Sequence, residues 1–123
     1  MPAPNRRILE RIREHQEEIA TASVVWHEMF FGCYRLQPSV RREAIEEYLN
    51  EVVARSMPIL PYDARAAKWH AAERARLTGT GRTPPFADGQ IAAVARVNDL
   101  VLVTANLSDY EGFRDIQVVD WRE

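Results

Sequence analysis

The sequence predicts an α/β fold in which a parallel sheet is covered by helices on both faces, and three observations point there. Apolar residues make up 46% and charged residues 28% of 123 positions, the usage of one globular domain with a modest core. Segments with apolar residues at helical spacing alternate along the chain with short apolar runs, the pattern of strands joined by helical crossovers. Finally, Leu100 to Thr104 is an unbroken run of leucine and β-branched residues, as expected of a parallel strand buried on both faces.

Ile8, Leu9 and Ile12 lie at helical spacing behind Asn5, a candidate N-cap, and predict a first helix. Ile19 to Ala22 reads as a short buried strand, and Ser23 can cap a second helix through Leu36. That helix carries Val24, Val25, Trp26, Met29, Phe30, Phe31, Cys33 and Tyr34 around most of its circumference, which predicts burial on several sides. After Pro38, the residues Val40, Ala44, Tyr48, Leu49, Val52 and Val53 form the stripe of a third helix. The prolines flanking Ile59 and Leu60 leave room only for a short strand. Asp63 can cap a helix over Ala64 to Leu77, ended by Gly79, and a turn-rich loop follows to Phe86. From Asp88 helical spacing resumes through Ile91, Val94 and Ala95, and Gln117 to Trp121 gives a last strand.

Composition narrows the function classes. The net charge of −2 provides no global attraction for nucleic acid, so contact with RNA or DNA would need a local basic patch. Cys33 is the single cysteine; an intrachain disulfide and a thiolate zinc cage are excluded, and a reducing cytoplasm is the expected compartment. Met1 to Gln16 lacks the apolar stretch of a secretory signal. No run approaches the roughly 20 apolar residues of a membrane-spanning helix.

Two carboxylates stand out. Glu28 is the only acid between Val24 and Arg42, inside the most apolar helix; buried there, it needs a cation, a metal or a proton. A salt bridge to one of the fifteen arginines is the structural alternative. Asp88 is the only acid between Arg74 and Asn98 and stands where a loop enters a helix, where the alternative is an ordinary N-cap. Thr104, Asn106 and Asp109 follow the apolar strand, at the carboxyl end where open parallel sheets gather ligands. Glu28, Asp88, Asn106 and Asp109 together offer only oxygen donors, the set suited to Mg²⁺ or Mn²⁺ rather than zinc. Arg74, Arg76 and Arg82 lie near the loop before Asp88 and could hold phosphates, with a solvated helix face as the other reading. His27-Glu28 opens like a zinc-protease signature, but Phe31 occupies the second histidine position. No phosphate-binding P-loop is present. His15 and His70 read as surface or half-buried structural residues, and Trp26, Trp69 and Trp121 as packing residues.

Thr21 to Glu28, Ile59 to Asp63, Pro84 to Ala93 and Leu102 to Tyr110, in this order and ending with Val119-Asp-Trp, resemble the VapC-type toxins of the PIN-domain family of metal-dependent ribonucleases. The resemblance spans nearly the whole chain. It implies a PIN-like three-layer fold over residues 1–123, with a central parallel β-sheet flanked by helices. By it, Glu28 matches the family's second acidic position, Asp88 its third, and Asn106 the fourth, where Asp or Asn is used. Asp109 matches a nearby acid and Thr104 the hydroxyl residue at the end of the strand entering the site. It further implies Mg²⁺ or Mn²⁺ as cofactor, RNA as substrate, a cognate VapB-like antitoxin and a homodimer. The family's opening strand, ending in Leu-Asp-Thr-Asn with the first metal-site carboxylate, has no counterpart here. The expectation is therefore a chain truncated at its N-terminus, with a native start roughly a dozen or more residues upstream and a gap in mid-sheet. One alternative is a catalytically incomplete module that binds antitoxin or RNA without cleaving. A response-regulator-like domain, with Asp63 as phosphoacceptor and Thr104 as switch, would need a late lysine, and Lys68 is the only lysine.

Overall fold

The computed structural model describes residues 6–15 and 18–122. Its order is α1 (Arg6–Glu14), β1 (Thr21–Ala22), α2 (Ser23–Tyr34), α3 (Val40–Tyr48), a π-helical turn (Leu49–Val53), α4 (Ala54–Ser56) and β2 (Ile59–Leu60). It continues with α5 (Ala64–Gly79), α6 (Phe86–Val97), β3 (Leu102–Val103), a 3₁₀ turn (Leu107–Tyr110) and β4 (Val118–Val119). The fold is thus helix-rich α/β with parallel strand pairing, as the alternation of periods predicts. The chain divides into two compact units, His15–Pro61 and a second made of residues 1–14 with Tyr62–Glu123. Asn5, the candidate cap of α1, lies outside the described residues.

In the His15–Pro61 unit, β1 pairs parallel with β2, Thr21 opposite Ile59 and Ala22 opposite Leu60. Ser23 does not cap α2; it is the first helical residue, and the capping position is taken by Ala22, which has no side-chain bond to give. The predicted burial of α2 on several sides is not observed. Cys33 is its one buried residue, and Phe31 and Tyr34 remain about half exposed, at 51% and 49%. Apolarity around a helix reports what the side chains favour; over the Phe31 and Tyr34 rings lie the guanidiniums of Arg35 and Arg42. Ser39 caps α3 by accepting the Arg42 amide at 3.1 Å. The single third helix expected from the stripe is interrupted at Leu49–Val53 by wider π-type winding, a local register change that rotates the later residues of the stripe.

The other unit is built on α5 packed against α6. Asp63 caps α5 as expected, its Oδ1 accepting the Ala66 amide at 2.9 Å. The helix runs through Gly79, and the turn that ends it places Gly81 at φ +82°, with the Arg82 amide reaching back to the Leu77 carbonyl. Its buried residues, Ala66, His70, Glu73 and Leu77, fall at helical spacing on one face. Those of α6 are Gly89, Ala92, Ala93, Val94 and Ala95. Leu77, Ala92, Ala95, Leu102, Tyr110 and Phe113 form the core, joined by Trp69, Ile91, Leu100, Ile116 and Val118. β3 pairs parallel with β4, Leu102 opposite Val118. The strand predicted to be buried on both faces is buried on one: Leu102 is 6% exposed, Val101 48% and Val103 43%. Short, and with one partner strand among the described residues, it keeps the alternation of a half-covered sheet. Among the described residues the four strands pair as β1 with β2 and β3 with β4. Among the described residues, no helix is long and apolar enough to cross a membrane.

His70, expected as a surface or half-buried structural residue, is instead fully buried, 2% exposed, the largest such side chain among the described residues. Glu73 is also buried, and its carboxylate is fully engaged. Arg76 donates two hydrogen bonds to it at 2.9 Å, the Arg114 amide a third at 2.7 Å, and Arg76 also reaches the Gly112 carbonyl at 2.7 Å. This strap ties α5 to the segment at residues 112–114. Arg76 is thereby committed to structure rather than to phosphate.

The bonds from Arg76, and then from the Arg114 amide, hold the Glu73 carboxyl below its ordinary range against the opposing effect of burial. A folded pKa below the unfolded one gives stability that is complete above the unfolded value and lost as pH falls through the folded one. Glu73→Gln is expected to cost about 2–3 kcal/mol in thermal or urea unfolding at neutral pH, and to flatten the loss of stability on acidification.

Candidate metal centre

Asp88 sits in the first turn of α6. Pro85 occupies the capping position without a side-chain bond, so the structural alternative, Asp88 as N-cap, does not hold. The carboxylate is half-buried. Its pKa is raised first by burial and then by the charge of Asp109, and its carboxylate accepts no side-chain or backbone hydrogen bond among the described residues. Asp109 comes from the 3₁₀ turn after β3, which contacts α6. That turn is pinned by its last residue, Tyr110, in the core at 7% exposure. The Tyr110 hydroxyl is pushed up to about 12, by burial and then by the charges of Asp88 and Asp109. Two carboxylates and a phenol that stays protonated therefore gather where α6 begins.

The segment leading to Asp109 is set by backbone bonds. The Thr104 amide donates to the Val119 carbonyl at 3.0 Å, extending the β3–β4 pairing. Thr104 Oγ1 then accepts the Asn106 amide at 3.1 Å, a hydroxyl-closed turn that leaves the Asn106 side chain at the surface. Arg122 pins the same turn from the far side. Its guanidinium donates to the Ala105 carbonyl at 2.9 Å while paired with Asp120, whose carboxyl it lowers by hydrogen bonding.

Glu28 departs from expectation. Its side chain is 58% exposed, and its neighbour is His27, Nδ1 to Oε1 at 3.3 Å. It is not a buried charge and not an arginine salt bridge, because in the His15–Pro61 unit α2 turns this position outward. Asp88, Asn106, Asp109 and Thr104 belong to the other unit. Among the described residues, no three or more His, Cys, Asp or Glu side chains are grouped to hold a metal ion. What the structure brings together is the Asp88–Asp109 pair. The pair fits a hard divalent cation, which commonly takes one or two carboxylates and completes its shell with water.

Tyr62, His70 and Phe86, which support this pair, carry no sequence signal of a role in the site. Behind α6, the Tyr62 hydroxyl and His70 Nδ1 are 2.8 Å apart, and the Phe86 ring lies 4.8 Å from that of His70. His70 is held below its ordinary pKa by burial and then by Arg74. Arg74 itself lies over Phe86, 5.3 Å from the ring centre. No periodic pattern marks these residues, because a histidine interrupts the apolar stripe of α5. The presence of Gly89, immediately after Asp88, was the one available signal of a close approach.

A family model described as "PIN domain" matches residues 2–116, and the chain belongs to the PIN-domain family. It is 30% identical over 115 residues to the tRNA(fMet)-specific endonuclease VapC of Shigella flexneri, covering 93% of this chain and 83% of that protein. It is 27% identical to ribonuclease VapC2 of Haemophilus influenzae, with the same coverage. Among solved structures, the DNA-bound VapBC complex of Salmonella typhimurium contains a chain 28% identical, with a TM-score of 0.83 over 94% of this chain and 85% of that one. FitAcB of Neisseria gonorrhoeae superposes with a TM-score of 0.89 at 23% identity, over 98% of this chain and 88% of that one, a likeness of fold.

A folded pKa raised above the unfolded one means that ionised Asp88 lowers stability once pH rises through the folded value. In metal-free protein followed by carboxyl-carbon NMR, Asp88 is expected to titrate above the ordinary aspartate range. Asp109→Asn should bring it part of the way down, burial keeping the rest. Asp88→Asn should unfold at a higher temperature than the wild type at neutral pH.

Proposed function

We propose that this chain is an endoribonuclease toxin whose cleavage of RNA phosphodiesters depends on Mg²⁺ or Mn²⁺ and is neutralised by a cognate VapB-like antitoxin. One observation carries the reading. Asp88 is half-buried, faces a second carboxylate and receives no protein hydrogen bond among the causes of its shift, an arrangement a divalent cation relieves and a structural role does not explain. The names of the VapC relatives support nuclease activity, and the VapBC complex supports an antitoxin partner. The single free, buried Cys33 suits a cytoplasmic protein.

Asp88 and Asp109 would hold the ion, with the Asn106 amide oxygen as a neutral donor. Glu28 enters on the family resemblance as a further carboxylate. A bound divalent cation supplies a water of lowered pKa and neutralises charge on the scissile phosphodiester. The chain's own groups set the stage. Burial and the first turn of α6 hold Asp88, the Thr104 hydroxyl fixes the backbone at Asn106, and the core holds Tyr110 so that Asp109 projects from a rigid turn. Tyr110, pushed up to about 12, stays protonated at neutral pH and can donate a hydrogen bond but not act as a base.

A protein partner and self-association draw support from the apolar groups left exposed in the His15–Pro61 unit, Phe31 at 51%, Tyr34 at 49%, Tyr48 at 57% and Val52 at 45%. Sedimentation at micromolar concentration should show a dimer, and a strict monomer would count against this part.

The decisive test is RNA cleavage with and without Mg²⁺ or Mn²⁺. Activity should require the ion, and Glu28→Gln and Asp88→Asn should each lower it on the order of 10²-fold or more while far-UV circular dichroism stays that of the wild type. A variant that cleaves at the wild-type rate removes that residue from the site. Ion-dependent binding of RNA or antitoxin without cleavage would instead establish the catalytically incomplete module.

A further inference from the structure

Asp88 is held by a turn of helix that carries no side-chain cap bond, so packing contributes to fixing where that turn lies. The side chains behind it identify that packing. Gly89 is buried against the His70 ring: a Cβ placed on it would come within 2.1 Å of His70 Nε2 and 2.5 Å of Cδ2. The backbone one residue beyond Asp88 therefore rests directly on the imidazole. Phe86, two residues before Asp88, packs its ring on the same imidazole at 4.8 Å. The ring has little freedom of its own, being 2% exposed with its Nδ1 bonded to Tyr62 at 2.8 Å. Arg74, one turn further along α5, lies over Phe86 as well. Residues on both sides of Asp88 are thus seated on one oriented ring.

We propose that His70 is the positioning residue for Asp88. Its imidazole is the seat against which the first turn of α6 is pressed, and the Tyr62 hydroxyl holds that seat in orientation. Histidine suits this place because a flat ring allows the Gly89 backbone to lie against it, while its far nitrogen offers the hydrogen bond that fixes its plane. Phenylalanine would supply the plane without the bond, and alanine neither. The positioning of a ligand by its supporting groups typically changes metal affinity by about 10–100-fold. The inference rests on the reading of Asp88 as a metal ligand, so its test has one arm that does not.

The experiment compares wild type, His70→Ala, Tyr62→Phe and a control, Trp69→Phe, which alters packing on the same helix against Phe113. In metal-free full-length protein, amide hydrogen exchange by NMR is read at Gly89 to Ala92, relative to the slowest core amides of each variant. Exchange there should quicken about tenfold or more in His70→Ala, less in Tyr62→Phe, and not in the control. Mn²⁺ affinity is then measured by calorimetry, with Asp88→Asn defining the binding that belongs to this site. It should fall about tenfold or more in His70→Ala, with the control unchanged at equal folded fraction.

Equal relative exchange at Gly89 to Ala92 in His70→Ala and Trp69→Phe would overturn the proposal, as would an unchanged Asp88-dependent Mn²⁺ affinity. If Asp88→Asn binds Mn²⁺ as the wild type does, the metal reading fails, and the exchange arm still decides whether His70 is the seat. Should His70→Ala not fold, Tyr62→Phe removes one hydroxyl from the same seat and carries both readouts. Gly89→Ala adds a rescue: alone it drives a methyl into the ring and should loosen the turn. Combined with His70→Ala, the methyl enters vacated space and exchange should return part of the way.

Discussion

Helices α5 and α6 approach closely because much of what they bury is small, with Ala66, Ala92 and Ala93 at zero exposure and Gly89 also buried. Close approach brings backbone near backbone and leaves no room for water to solvate a polar side chain caught inside. His70 lies in this contact and Glu73 is buried on the same face of α5, and both are satisfied, one by Tyr62 and the other by Arg76 and the Arg114 amide. A buried polar group is costly in any arrangement that fails to meet its partners. The two residues therefore do more than fill the stripe. His70 fixes where α6 begins, and Glu73 fixes where the segment at residues 112–114 returns. The start of α6 and the return of the segment at residues 112–114 are thus both tied to the buried face of α5.

This is also where the sequence was least legible. The ends of α5, the Asp63 cap, the loop before α6 and the strand after it can all be read from turn residues and apolar period, because those signals are local. The stripe Ala66, His70, Glu73, Leu77 cannot, since two of its four members are polar and their burial depends on partners such as Tyr62 and Arg114 that periodicity does not pair with them. Glu28 shows the converse. Surrounded in sequence by apolar residues, it was expected to be buried, yet it is 58% exposed on a helix of which Cys33 alone is buried. Apolar neighbours along a chain state a demand for burial, and whether the demand is met depends on what else is present to meet it. Val101 and Val103 repeat the lesson on a strand, where a run that reads as buried on both faces is covered on one.

The carboxylates can be sorted by what holds them. Asp63 accepts the Ala66 amide, Glu73 accepts three donors from two arginines, and Asp120 is chelated by Arg122. The ion-paired ones, Glu73 and Asp120, are pushed down in pKa by their donors, as expected of groups whose charge helps to hold the fold. Asp88 is pushed the other way, by burial and by Asp109. A fold that spends arginines on its structural acids while leaving a half-buried aspartate beside a second one is keeping a charge it does not use for its own stability. The position at a helix N-terminus softens that cost, because the helix dipole favours negative charge there, but it does not supply a counter-ion. Under the proposed function the counter-charge comes from outside the chain, and two carboxylates beside a protonated phenol suit a small, hard cation that keeps part of its water.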